Sequence, residues 1–83
     1  MITLRIFVRY FARVRELVDI ESENIEILPK ATLGGLVKHI GEKYSIDMGE
    51  LPLFFSVNHE YSDMGKVLCE GDEVAIMYPP SGG

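Results

Sequence analysis

The sequence predicts an α+β roll, a sheet of four to five strands packed on one main helix. Three observations lead there. Residues 2–10 alternate apolar and polar, the period of a strand with one buried face. Residues 33–44 carry an apolar stripe at helical spacing. The order of patterns, strand, short helix, strand, longer helix and then about three short strands, lays one helix across a sheet that the last strand completes.

In the first strand Ile2, Leu4, Ile6, Val8 and Tyr10 fall on one face, and Thr3, Arg5, Phe7 and Arg9 on the other. Phe11, Val14, Leu17 and Val18 then shift to the spacing of a short helix. Residues 23–28 alternate again and stop at Pro29, which predicts a second strand paired with the first. Thr32 is placed to cap the next helix with its hydroxyl, and Leu33, Leu36, Val37, Ile40 and Tyr44 form the stripe. Gly34, Gly35 and Gly41 each cost such a helix about 1 kcal/mol relative to alanine, so packing has to hold it. His39 lies off the stripe and is expected in solvent. A loop through Met48-Gly49-Glu50 leads to a third strand at residues 53–57. Asn58-His59 is a credible tight turn, because asparagine tolerates positive φ, with Glu60-Tyr61 as the return. Gly71-Asp72 turns the chain into a last strand over residues 73–78.

Eighty-three residues suit one domain, 1–83, with a single core. No apolar run reaches the roughly 20 residues that span a bilayer, and no signal-peptide pattern opens the chain, so a cytoplasmic protein without a membrane role is expected. Cys69 is the one cysteine, which excludes an internal disulfide and suits a reducing compartment. It lies in a short apolar stretch and is expected to be a packed thiol. The net charge of −5 is unevenly spread. Arg5, Arg9, Arg13 and Arg15 are the charges of the first fifteen residues, while the remainder sets four lysines against 13 acids. Such an acidic body argues against a nucleic-acid partner. The arginines either form a patch for an acidic partner or pair with the chain's own carboxylates.

Catalytic constellations are missing. His39 and His59 have no partners at metal-ligand spacing, and neither a nucleophile elbow, a P-loop nor a dinucleotide fingerprint is present. Neither catalysis by the chain alone nor a bound metal or cofactor is expected. What remains is the tail. The strand ending at Tyr78 meets Pro79-Pro80, which cannot donate to a sheet and fix φ, so the chain leaves the body extended. Ser81, Gly82 and Gly83 follow, and five residues at about 3.3 Å each reach about 16 Å, enough to enter a cleft in another protein. A carboxylate is a poor acylating agent, but once adenylated with ATP it accepts sulfide, a persulfide or a lysine amine. Glycines without Cβ atoms pass a narrow channel.

The segment Phe11-Ala12-Arg13-Val14-Arg15-Glu16-Leu17, the Val57-Asn58 hairpin, and Glu70-Gly71-Asp72-Glu73-Val74-Ala75 leading to Pro79-Pro80-Ser81-Gly82-Gly83 resemble the small subunit of molybdopterin synthase (MoaD). The likeness runs along nearly the whole chain. It implies the β-grasp, ubiquitin-like fold with a mixed sheet, and a sulfur carrier. Gly83 would be adenylated by an E1-like enzyme and converted to a thiocarboxylate. Pro79, Pro80, Ser81 and Gly82 would insert into the large synthase subunit, in a heterotetramer, for sulfur transfer to cyclic pyranopterin monophosphate. The family's partner-binding patch matches Phe11, Tyr61 and Tyr78, with Arg15 of the same motif grouped with them. Read from residues alone, these aromatics are equally ordinary core. Departures are a tail one residue shorter than the common form, a tyrosine-rich patch, and Asp19 where glycine often stands. Alternatives are a ubiquitin-like modifier joined to lysines through Gly83, a thiamine-pathway carrier, and a plain interaction domain with an inert tail.

Overall fold

The alternation at the start of the chain becomes strand β1, Leu4–Tyr10, in a computed structural model that describes residues 2–79. Helix α1 (Ala12–Val18), strand β2 (Ser22–Ile27) and helix α2 (Leu33–Tyr44) follow, then a 3-10 turn at Met48–Glu50 and strands β3 (Phe54–Val57), β4 (Glu60–Tyr61) and β5 (Glu73–Met77). The five strands form one mixed sheet in the order β2-β1-β5-β3-β4. β1 and β5 run parallel at its centre, and the other pairs are antiparallel. The strand preceding Pro29 does pair with the first, with Ile6 opposite Ile25 and Leu4 opposite Ile27.

One face of the sheet packs on the helices. Ile6, Val8, Val74 and Ile76 meet Leu33, Leu36 and Ile40 of α2 and Val14 of α1, all essentially without solvent contact. Burial of this kind supplies about 1.5–3 kcal/mol per large side chain, which offsets the poor intrinsic helicity of α2. Thr32 caps α2 as expected, its Oγ1 accepting the Gly35 N–H at 3.2 Å. Gly41 has a reason of its own: a Cβ there would lie 2.7 Å from the Ile46 carbonyl oxygen, where the chain folds back on the helix. His39 is exposed.

The last layer of the core is polar. Glu23 faces inward at the edge of the sheet and accepts the Tyr10 hydroxyl at Oε2, 2.7 Å away. The same oxygen accepts the Tyr44 hydroxyl, and the Lys43 ammonium donates to Oε1. One carboxylate therefore ties β2 to β1 and to the end of α2. Burial pushes the Glu23 carboxyl up, but the hydrogen bonds from Lys43, Tyr44 and Tyr10 together outweigh it and hold the group below the usual carboxylate range. The two tyrosines are displaced upward, by burial first and then by their bonds to Glu23.

Four expectations are corrected. Ile2 does not join β1 and is 79% exposed, because the facing strand ends at Ile27 before the turn at Pro29. Met48-Gly49-Glu50 is a 3-10 turn, capped by Asp47 Oδ1 on the Gly49 N–H at 3.1 Å, and it buries Met48. Residues 53 and 78 lie outside the strands assigned to them, which span Phe54–Val57 and Glu73–Met77. Cys69 is exposed, not packed. Leu68 is the residue that enters the core, held by its N–H on the Ala31 carbonyl at 3.0 Å, so its extended neighbours Val67 and Cys69 turn outward.

Backbone conformation explains Asp19: at φ 65° it is the left-handed C-cap of α1, the place where glycine carries no Cβ penalty. Lys30 is similar. With Ala31 N–H on Leu28 O at 3.2 Å, Leu28-Pro29-Lys30-Ala31 is a turn with φ 72° at its third position.

Two outcomes are expected in urea unfolding. Gly35→Ala, whose Cβ meets only the Thr32 hydroxyl at 3.6 Å, stabilises by about 0.5–1 kcal/mol, whereas Gly41→Ala destabilises despite the same gain in helix propensity. Glu23→Gln costs about 1–3 kcal/mol at neutral pH. The folded carboxyl lies below its unfolded value of about 4.3, so this stabilisation is present above that pH and is lost as pH falls through the folded value. The gap between wild type and Glu23→Gln therefore closes on acidification, read from unfolding midpoints across the acid range.

Candidate functional site

Parallel pairing decides where the chain leaves the body. Tyr10 lies opposite Ile76, and the Phe11 N–H continues the ladder onto the Ile76 carbonyl at 3.1 Å. Tyr78 and Pro79 consequently emerge beside the β1–α1 junction. The Tyr78 ring is half-buried against the core, and the Arg13 guanidinium lies 5.7 Å from its centroid. Across the junction the Arg9 guanidinium lies 5.2 Å from the centroid of Phe11.

The register places Phe7, Arg9, Glu73, Ala75, Met77, Phe54, Ser56 and Tyr61 on the sheet face opposite α2. There they frame a concavity of about 240 Å³, floored by the cross-strand pair Ser56 and Ala75 and walled by Phe11, Tyr61, Met77, Arg9, Glu73 and His59. Phe54 packs edge-on against Tyr61 with centroids 5.7 Å apart. Phe11 is 37% and Tyr61 71% exposed. Glu73 lies 3.6 Å from the Arg9 guanidinium and 3.9 Å from the His59 ring. The result is an aromatic patch with small residues at its centre and charge at its rim, the composition of a protein-binding surface.

The hairpin that carries Tyr61 is braced from below. Asn58 and His59 both adopt positive φ, 52° and 72°, the turn expected of asparagine. The Asn58 amide donates to Asp72 Oδ1 at 2.9 Å, and its own Oδ1 accepts the Glu73 N–H at 2.9 Å. Asp72 Oδ2 accepts the Cys69 N–H at 2.8 Å, and Glu70 Oε1 accepts the Arg5 N–H at 2.8 Å. Gly71, at φ 83°, donates to the Arg5 carbonyl at 2.9 Å. Glu70-Gly71-Asp72 is thus a bracket joining β1, β5 and the β3–β4 hairpin.

Of the residues singled out in the sequence, Phe11 and Tyr61 meet in the concavity. Tyr78 does not line it: its ring packs against the core, with Arg13 over it. Arg15 points elsewhere, paired with Glu21 at 3.2 Å. Pro79 is partly exposed, while Pro80, Ser81, Gly82 and Gly83 lie outside the described residues. Sequence reasoning missed Phe54, Met77, Arg9, Glu73 and His59. The available signal was that β5 is apolar at both parities: with Val74 and Ile76 inside, Ala75 and Met77 must face out. Among the described residues no group of three or more His, Cys, Asp or Glu side chains is placed to hold a metal, and no helix is long and apolar enough to cross a membrane.

Comparison with known proteins adds a family. The sequence profile of the ThiS family matches residues 8–83. The molybdopterin synthase sulfur carrier subunit of Drosophila melanogaster is 31% identical, over 96% of this chain and 92% of that protein. The putative molybdopterin converting factor subunit 1 of Pyrococcus furiosus superposes with a TM-score of 0.85 at 26% identity, covering 92% of this chain and 98% of that one. SAMP1, the small archaeal modifier protein 1 of Haloferax volcanii, gives 0.81 at 24% identity over 95% and 99%. A complex of subunits 1 and 2 of molybdopterin-converting factor from Helicobacter pylori gives 0.69 at 19% over 96% and 100%. The architecture is the β-grasp, ubiquitin-like roll that the resemblance implied.

If the patch faces solvent and the bracket holds it, their truncations separate. Tyr61→Ala changes stability by about 1 kcal/mol or less, the value of one exposed aromatic pair, while Asp72→Ala costs about 1–3 kcal/mol by removing two hydrogen bonds, from the Cys69 N–H and the Asn58 amide, at about 0.5–1.5 kcal/mol each. Urea midpoints of the two variants check the difference.

Proposed function

The chain belongs to the ThiS family, and from that premise we propose that it is a sulfur carrier that serves molybdenum or tungsten cofactor synthesis through Gly83. In this reading an E1-like enzyme joins the Gly83 carboxylate to AMP, with pyrophosphate leaving from ATP. A sulfur nucleophile then displaces AMP to give the thiocarboxylate. In the large synthase subunit the sulfur passes to cyclic pyranopterin monophosphate, water supplies the oxygen that replaces it and regenerates the carboxylate, and two such deliveries complete a dithiolene. The chain catalyses nothing alone and binds no cofactor; ATP belongs to its activating enzyme.

The observation that carries the reading is the joint placement of the tail root and the aromatic concavity. A proline-launched segment leaves at Tyr78-Pro79, on the side of the sheet end where Phe11 opens the patch. A partner that covers Phe11, Tyr61, Met77 and Phe54 thereby lies beside the point from which the chain continues past Pro79. The surface is open and framed by aromatic and charged side chains, the make-up of part of a protein interface. The complex of H. pylori subunits 1 and 2 supports a large-subunit partner, and a heterotetramer in the cytoplasm belongs to the same proposal.

A second reading is favoured by the likeness to SAMP1: a lysine amine in place of the sulfur nucleophile would give an isopeptide-linked modifier. The two share every step up to the adenylate.

Incubation with the cognate activating enzyme, ATP and a sulfur source is expected to raise the intact mass by the difference between sulfur and oxygen. Deletion of Gly83 abolishes the gain. No gain with the wild-type chain overturns the carrier role, and high-mass conjugates in cells that vanish on deleting Gly83 favour the modifier. Phe11→Ala or Tyr61→Ala is expected to weaken large-subunit binding by about tenfold or more, as truncation of an aromatic anchor does.

A further inference from the structure

Each arginine near the tail root is placed differently. Arg9 lies on the Phe11 ring but is also within 3.6 Å of Glu73, and Arg15 is paired with Glu21 at 3.2 Å. Arg13 is exposed, stands on α1 directly over the Tyr78 ring, and has no carboxylate within 4 Å among the described residues. A guanidinium held by cation–π attraction over a ring donates none of its N–H groups to it, so they stay available to a further acceptor. The contact also favours one direction of the side chain, so less rotamer freedom is lost when a ligand binds. This cation sits on a chain of net charge −5, at the one place where residues 79–83 begin.

We propose that Arg13 is an interface residue that pairs, edge-on, with a carboxylate of the large subunit at the mouth of the channel that receives the tail, Tyr78 serving as its platform. Distance selects a carboxylate at the mouth over a phosphate at the chain terminus. In the carrier reading the tail is inserted into the partner, and five residues at about 3.3 Å each allow Gly83 to lie as far as about 16 Å from the root, so a group bonded to Arg13 lies at the root and not at the reacting carbon. Charge selects the same partner. The rest of the chain is acidic and repels an acidic surface, so Arg13 acts on where such a surface can dock and not only on how tightly. The planar fork suits a carboxylate bidentately, which lysine cannot reproduce. This inference rests on the carrier reading above and on its large-subunit partner.

The test measures affinity of the full chain for its own organism's large subunit at low and high salt. Arg13→Glu is expected to bind about tenfold or more weakly at low salt, with the deficit shrinking at high salt as screening removes the repulsion. Arg13→Lys is expected to fall between wild type and Arg13→Glu, because it keeps the charge and loses the fork. Tyr78→Leu, which keeps the apolar contact and removes the platform, is expected to reduce the benefit of Arg13 without changing the net charge. Melting temperatures read alongside separate a fold effect: a binding loss independent of salt that tracks lowered stability overturns the proposal. So does Arg13→Glu binding as tightly as wild type while Tyr61→Ala binds weakly, an outcome that leaves the carrier reading standing. Failure of the wild-type chain to bind the large subunit removes both.

Discussion

The parallel pairing of β1 with β5 is the constraint on which the rest depends. Two parallel strands cannot be joined by a tight turn, so everything between residues 10 and 73 has to be placed as crossover. That intervening chain supplies both edges of the sheet, the helix across its inner face and the loop that carries Leu68 into the core. Because the strands are parallel, their C-terminal ends coincide. The end of β1 becomes Phe11 and α1, the end of β5 becomes Tyr78 and the tail, and the two are locked by the Phe11 N–H on the Ile76 carbonyl. A hairpin between the same two strands would have put these features at opposite ends of the molecule. The bracket of Glu70, Gly71 and Asp72 protects this arrangement from the other end, since it fixes the start of β5 against Arg5 and Asn58.

Much of this was legible in the sequence because it depends on period and on turn chemistry. The alternation of Leu4, Ile6, Val8 and Tyr10, the stripe from Leu33 to Tyr44, the Thr32 cap and the Asn58-His59 turn are local rules that tertiary contacts reinforce. The pairing of β1 with β2 followed from proximity along the chain. Legibility failed where the outcome depended on contacts distant in sequence. Cys69 looked packed because Val67 and Leu68 precede it, but only Leu68 finds a cavity, and an extended backbone then forces both neighbours out. The left-handed position Lys30 carries no glycine to announce it, and Asp19 was marked only by the glycine that often stands there in the family. Glu23 gave no sign of its role, since its three donors come from positions 10, 43 and 44.

The candidate site divides in the same way. Its aromatic members Phe11 and Tyr61 came from motif likeness, whereas Phe54, Met77, Arg9, Glu73 and His59 became visible only once strand register showed which parity faces out. A central strand apolar at both parities is ambiguous by itself. It is what a strand buried on both faces looks like, and also what a strand with one face kept for a partner looks like. The partial exposure of Met77 and the open concavity show that the outer face is left uncovered by the described residues.

Two carboxylates of this fold show how placement assigns different work to one chemical group. Glu23 is drawn inward and receives three donors, so its charge is fully answered and contributes to holding β1, β2 and α2 together. Glu73 sits on the outer face among Ala75, Met77 and Phe11, answered loosely by Arg9 at 3.6 Å and His59 at 3.9 Å. While water covers that face, an ion pair of this length adds little. Once a partner displaces the water, the same carboxylate has to be matched by closer donors or its burial opposes association. Association through this face would therefore not be apolar contact alone: Phe11, Tyr61 and Met77 offer apolar surface, while Glu73 at the rim favours a partner that brings it a donor. A face that is aromatic within and charged at its rim discriminates among partners by the donor they supply and not by apolar area alone.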